Sequence, residues 1–224
     1  MKISVVDFIK NHFDFKLYPV TWVAIVNLFL IVPCFLYLPE KYGYENGLLE
    51  NIQLIVLAIG AYLAIKVARN NQNAGEKTTS GIRRFFWFVL MVLGILFLRE
   101  INCGRTIFFP VPGTENSFYG WKDIKYGWLA HPLYGAYMAY VGFYFLYNKV
   151  FVTLWKMIKD VRVPVWNILL MLTGMAIGLF SEKVLNNMIL EEITELLFYV
   201  SLVGIIYLYA FNKNFFIAEE ASND

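Results

Sequence analysis

Between Phe85 and Leu98 the chain runs for 14 residues without a polar side chain, and Leu196 to Ala210 is broken only by Ser201 and tyrosines. Runs of this kind lack the two-residue alternation of a membrane barrel strand. Backbone buried in hydrocarbon must then satisfy its own N–H and C=O groups, which a helix does within one segment. Six segments meet or approach the roughly 20 residues that cross a hydrocarbon core of about 30 Å. They lie near 19–38, 48–68, 84–102, 127–147, 164–182 and 192–212. The expected fold is all-α: one polytopic membrane domain over residues 1–224 with six transmembrane helices.

Composition supports this and removes other classes. Hydrophobic residues make up 59% of the chain and charged residues 16%, against about 45–50% and about 25% in soluble domains. A net charge of +2 gives no basic surface for nucleic acid. Two cysteines make no disulfide framework, and two histidines make no His-rich metal centre. On an oxidising side Cys34 and Cys103 have a disulfide open to them, with two buried free thiols the favoured reading.

Orientation follows from the basic residues. Lys41, Arg99, Arg105, Lys122, Lys125 and Lys183 fall on one side of the six spans and the remaining 13 of the 19 on the other. The positive-inside rule places that richer side, with both termini, in the cytoplasm. Asp7 and Asp14 interrupt Lys2, Lys10 and Lys16, and no small-residue cleavage site follows the first apolar run, so the N-terminus reads as retained. Residues 149–162 alternate Val150, Phe151, Leu154, Trp155 and Ile158 with Lys149, Lys156, Lys159 and Asp160, the pattern of an amphipathic segment on the cytoplasmic leaflet. Asn70 to Ser80 reads as a solvated loop. Gly174 with Gly178, and Gly135 with Ala139, have the small-residue spacing of close helix contacts.

Polar residues that hydrocarbon would reject collect on the outer side. The 14-residue run in the third span covers only about 21 Å, so that helix is expected to continue through Arg99, Glu100 and Asn102. Ionised groups at that depth need partners or a task. The second span opens with Glu50 and Gln53 on one helical face. Glu191, Glu192 and Glu195 open the sixth, with Tyr199 a turn further in, while Glu182 and His131 lie level with them. Interface charge and capping are the ordinary explanation for glutamates at helix ends. That explanation suits Glu182 and Glu191 better than Glu50, Glu100 and Glu195, which lie inside their spans. The aromatic-rich loop from Cys103 to Tyr126 is expected to fold back over this cluster.

The stretches Tyr44-Glu45-Asn46-Gly47-Leu48-Leu49-Glu50 and Arg99-Glu100-Ile101-Asn102-Cys103-Gly104-Arg105 resemble an uncharacterised group of bacterial multi-pass membrane proteins. That group has a Glu-Asp-Gly-x-x-Glu helix entry, a Glu-Glu-Ile-Ser-Trp-Gly-Gln-Arg helix exit and a Glu-rich start to its last helix. Asn46 stands here for the Asp, Arg99 for the first Glu and Cys103 for the Trp, and the exit is one residue shorter before Arg105. The resemblance implies no activity. CAAX-type intramembrane proteases fit less well, since Glu100, Arg105 and His131 lack a second intramembrane histidine. The three-histidine zinc site of alkaline ceramidases cannot be built from His12 and His131.

Three functions are compatible with these residues. The first is an enzyme acting on a lipid or lipid-linked substrate at the outer leaflet. Glu50, Glu100 and Glu195 would be its catalytic groups, and Arg99, Arg105, His131 and Tyr199 its substrate contacts. Glu50, Glu100, Glu192 and Glu195 would hold a divalent cation if one is used. The second is a non-catalytic component binding membrane lipids, a partner protein or a second copy, its charges serving as ion pairs. The third is a small transporter, which the absence of midplane charge disfavours.

Overall fold

The computed structural model describes residues 12–70, 76–114, 116–160 and 162–211. The two chain ends lie outside these residues. Among the described residues, seven helices longer than two turns follow in chain order: α1 (Pro19–Tyr37), α2 (Leu48–Asn70), α3 (Glu76–Glu100), α4 (Ala130–Tyr147), α5 (Val150–Asp160), α6 (Val165–Phe180) and α7 (Met188–Phe211). Short helical turns occupy Glu40–Gly43, Asn102–Gly104, Arg105–Phe108 and Gly127–Leu129. A wide π-type turn at Ser181–Leu185 joins α6 to α7. The described residues are all-α apart from a two-residue parallel pairing of β1 (Phe13–Asp14) with β2 (Val163–Pro164) and one isolated bridge in the loop before α4.

Among the described residues, five segments are long and apolar enough to cross a membrane: Pro19–Tyr37, Glu40–Arg69, Gly81–Glu100, Val165–Leu185 and Met188–Phe211. Helix α4 falls short on composition, because it carries His131, Pro132 and Tyr134, Tyr137, Tyr140, Tyr144 and Tyr147. It nevertheless runs antiparallel along α3. The hydroxyls of Tyr137, Tyr134 and Tyr144 donate to the carbonyls of Met91 at 3.1 Å, Ile95 at 3.5 Å and Arg84 at 3.5 Å.

Three helix ends differ most from the sequence expectation. Helix α3 stops at Glu100 instead of continuing to Asn102, because Asn102, Cys103 and Gly104 take φ values of 43°, 51° and 91°, a left-handed stretch that no α-helix accommodates. It recovers the length at its other end by starting at Glu76, so part of the expected Asn70–Ser80 loop is helical; 71–75 lie outside the described residues. Helix α7 begins at Met188, a turn before the expected start, and Asn187 caps it by accepting from the Leu190 amide at 2.9 Å. Glu191 and Glu192 therefore sit inside the helix and do not cap it.

Helix α7 is the spine. Its Tyr199, Val203 and Ile206 join Leu57, Ala64, Phe86 and Leu93 of α2 and α3 in one buried cluster. Its Ile193, Leu196 and Leu197 join Ala24, Ile31 and Leu170 of α1 and α6 in another. Outward-facing Phe29, Val32, Tyr62, Phe143 and Val184 are each more than half exposed, the apolar surface that a bilayer covers. At Gly174 the α6–α7 approach is so close that a Cβ would lie 2.8 Å from the Thr194 carbonyl oxygen and the Phe198 nitrogen. Gly135 makes no such contact, since a Cβ there meets nothing within 4 Å. Gly174→Ala is therefore expected to cost about 1–3 kcal/mol by overpacking, read as a fall of several degrees in the melting temperature in detergent. Gly135→Ala should leave the melting temperature level or raise it slightly.

Candidate functional site

Three helix ends meet at one end of the bundle: the start of α2, the end of α3 and the start of α7. Glu192, Glu195 and Tyr199 recur at i, i+3 and i+7, so they form one stripe along α7. The same helix buries Ile193, Leu196 and Leu197 in the core, which prevents it from rotating the stripe out to solvent. Helix α3 contributes Arg99 and Glu100 from its last turn, and α2 contributes Gln53.

The carboxylates of Glu100, Glu192 and Glu195 each place one oxygen within 4.8 Å of the others. Tyr199, fully buried, donates its hydroxyl to Glu100 Oε1 at 2.5 Å. Arg99 pairs with Glu195 through Nη2 and lies 3.9 Å from Glu100 Oε1 through Nε. The Gln53 side chain has no exposed surface, and its Nε2 donates at 2.8 Å to both the Glu192 backbone oxygen and Glu192 Oε2. One guanidinium thus pairs with Glu195 and approaches Glu100, while Glu192 is held by Gln53. The surplus negative charge needs a proton or a cation, because uncompensated ionised groups in a low-dielectric site are costly.

Two cavities flank the cluster. A groove of about 350 Å3 lies between α3 and α6 over α7, lined by Leu96, Arg99, Met175, Leu179, Glu195 and Phe198 among others. A more polar cavity of about 380 Å3 lies at the end of the bundle and touches Glu45, Arg105, Asn116, Phe118, Glu191 and Glu192. The aromatic loop does fold back there. Pro110 and Phe118 pair as an antiparallel bridge, and Asn116 Oδ1 accepts from the Glu45 amide at 3.0 Å.

The sequence-derived site residues separate into groups. Glu100, Glu192, Glu195, Arg99 and Tyr199 come together as described. Glu50 is buried but lies outside the carboxylate triad, and accepts from the Asn46 amide instead. Asn46 has a φ of 61°, and Asn51 Nδ2 donates at 2.6 Å to the Gly47 carbonyl. The Glu-Asn-Gly-x-x-Glu entry is thus a capping device for α2. Arg105 turns toward Glu45 at 3.4 Å, and the Asn102 amide oxygen, when turned to face it, accepts from Nη2 at 2.8 Å. His131 is exposed and packs edge-on against the Trp121 ring with centroids 5.7 Å apart, on the loop side of the bundle. Cys34 and Cys103 are free thiols, half-buried and not buried as expected; burial pushes the Cys103 thiol above its usual range.

Gln53 is the site residue that the sequence places on the face of Glu50 but to which sequence reasoning gave no role. Its signal was present as the i+3 neighbour of Glu50 on an otherwise apolar face, but its contact with Glu192 depends on how α2 and α7 pack. No protein-family model, curated protein or solved structure matches this chain.

Arg99 is half-exposed while Glu195 is nearly buried, so their coupling should lie below that of a fully buried pair. A double-mutant cycle with Arg99→Gln and Glu195→Gln, read by thermal or denaturant unfolding in detergent, is expected to give a coupling of about 1–2 kcal/mol. Arg99→Gln alone should be the more destabilising single change, since it leaves three carboxylates without a cation.

Proposed function

We propose that this protein is an integral membrane enzyme acting on a lipid or lipid-linked substrate at the outer leaflet of a bacterial inner membrane. The observation that carries this reading is that Glu195 of the carboxylate triad also lines a mostly apolar groove between α3 and α6. A substrate with an acyl or prenyl chain would enter from the bilayer beside Leu96, Met175, Leu179 and Phe198. Its polar part would then stop at Glu195 and Arg99. Arg99 spends part of its guanidinium on Glu195 and keeps other N–H groups for an anionic headgroup. Glu195 and Glu192 would take a proton from an attacking hydroxyl or water, and the Tyr199–Glu100 pair would return one to the leaving group. Glu50 and Arg105 serve the walls of the site in this scheme, and His131 stands apart from it.

The reading also takes α4 as a sixth crossing, with both termini cytoplasmic. Parity supports it. Phe13 pairs with Val163, and Trp166 Nε1 donates to the Phe15 carbonyl at 2.9 Å, so the chain before α1 and the chain before α6 lie on one side. An even number of crossings must separate them, and α1, α2 and α3 make an even number only if α4 crosses too. In a cysteine-free background, Gly113→Cys should react with a membrane-impermeant maleimide on intact spheroplasts, and Asn148→Cys only after permeabilisation. Labelling of both from outside would leave α4 on the membrane surface.

The functional test is comparative lipid profiling of membranes from cells lacking the protein. A species that accumulates without it should return to its normal level with the wild type, and the rate of restoration should fall by about 10²–10⁴ with Glu195→Gln or Glu100→Gln at equal protein level. Glu50→Gln should lower protein stability without this specific loss. Full restoration by both carboxamide variants would favour a second reading, a non-catalytic partner-binding component in which the Arg99–Glu195 pair is structural.

A further inference from the structure

The carboxamide of Gln53 is satisfied on one side only. Its nitrogen holds Glu192 at 2.8 Å, while Oε1 is buried with no hydrogen-bond donor. A buried acceptor left unmatched costs about 1–3 kcal/mol. A residue needed solely to clamp Glu192 gives no reason for the oxygen of the same carboxamide to stay buried and bare. The cluster is rich in acceptors: Glu100, Glu192 and Glu195 have Tyr199 as a hydroxyl donor and Arg99 as a cation, and neither contacts Gln53 Oε1.

From this we infer that Gln53 Oε1 joins Glu100, Glu192 and Glu195 as oxygen ligands of a hard divalent cation of the magnesium, manganese and calcium class. Carboxylate and amide oxygens are the ligands such ions take, at about 2.0–2.6 Å. One oxygen from each of Glu100, Glu192 and Glu195 lies within 4.8 Å of the others, close enough for one ion to touch all three. The group contains no imidazole or thiol, the ligands that draw softer metals. The charge balances as well, because a divalent ion with Arg99 compensates three carboxylates. Tyr199 and Arg99 would orient two of the ligands from outside the ion's immediate shell. The inference deepens the lipid-enzyme reading and rests on it for placing the ion at a reacting centre, although the binding itself is tested without any substrate.

The experiment uses full-length, monodisperse protein in detergent and Mn2+ alone as the probe, followed by electron paramagnetic resonance, with Mg2+ and Ca2+ as competitors. One Mn2+ per chain is expected, displaced by Mg2+ or Ca2+, with the dissociation constant raised about tenfold or more in Gln53→Met. Gln53→Glu keeps an oxygen at that position. It should melt lower than wild type in chelator, bind Mn2+ at least as tightly, and gain more degrees on adding it. Equal affinity in wild type and Gln53→Met overturns the role of Gln53, as does a parallel loss in Gln53→Met and Gln53→Glu, the pattern of a mere clamp on Glu192. No binding of Mn2+, Mg2+ or Ca2+ to wild type overturns the inference altogether. The lipid profile is read separately. Loss of restoration in Glu195→Gln without any cation binding leaves the enzyme reading standing, whereas tight Mn2+ binding with full restoration by Glu195→Gln overturns that reading and leaves the ion site.

Discussion

The helix that carries the carboxylates is also the helix that the core is built on. Helix α7 buries one flank against α2 and α3 and another against α1 and α6, so the stripe of Glu192, Glu195 and Tyr199 has no freedom to turn toward water. Charge is thereby fixed at the mouth of a low-dielectric bundle, and the neighbouring elements are arranged to meet it. Helix α3 ends where Arg99 and Glu100 reach the stripe, α2 begins where Gln53 reaches Glu192, and the left-handed turn after Glu100 sends the chain back across the top through Arg105 and Glu45. The close seam at Gly174 serves the same end by holding α6 against the face of α7 beside the groove.

Much of this was legible in the sequence, and what was not has identifiable physical causes. Long apolar runs specify helices and an approximate count because hydrocarbon leaves the backbone few alternatives. The i, i+3 and i+7 spacing of Glu192, Glu195 and Tyr199 specifies a shared face for the same local reason. Helix ends were less legible, since they turn on left-handed residues such as Asn102, Cys103 and Asn186 that carry little advance signal. Glu50 shows a different limit. A glutamate three residues into a helix serves equally well as a cap or as a ligand, and its partner, the Asn46 amide, became visible only with the turn geometry. Gln53 is the converse case, a neutral residue whose importance comes wholly from the helix opposite.

If α4 is the sixth crossing proposed above, it is the helix for which hydropathy alone misleads. Its tyrosines lower its apolar score, yet three of them spend their hydroxyls on carbonyls of α3, so their polar atoms are satisfied within the protein and their rings remain for packing or lipid. A tyrosine so placed costs the bilayer far less than a transfer scale implies. The bonds also fix the height of α4 against α3, and with it the base of the loop that closes the polar cavity.

The pairing of Phe13–Asp14 with Val163–Pro164 has a consequence for how the molecule is assembled. Its two strands are separated by the five helices α1 to α5 in the chain, so as the polypeptide emerges from the ribosome the first strand has no mate until the second has been made. The N-terminal segment must wait through the synthesis of α1 to α5 and can then engage as α6 enters the bilayer. Such a pairing acts as a late latch: it draws α1 toward α6 once both are present, and it lets the α2–α3 hairpin settle before the ring of helices around α7 is closed.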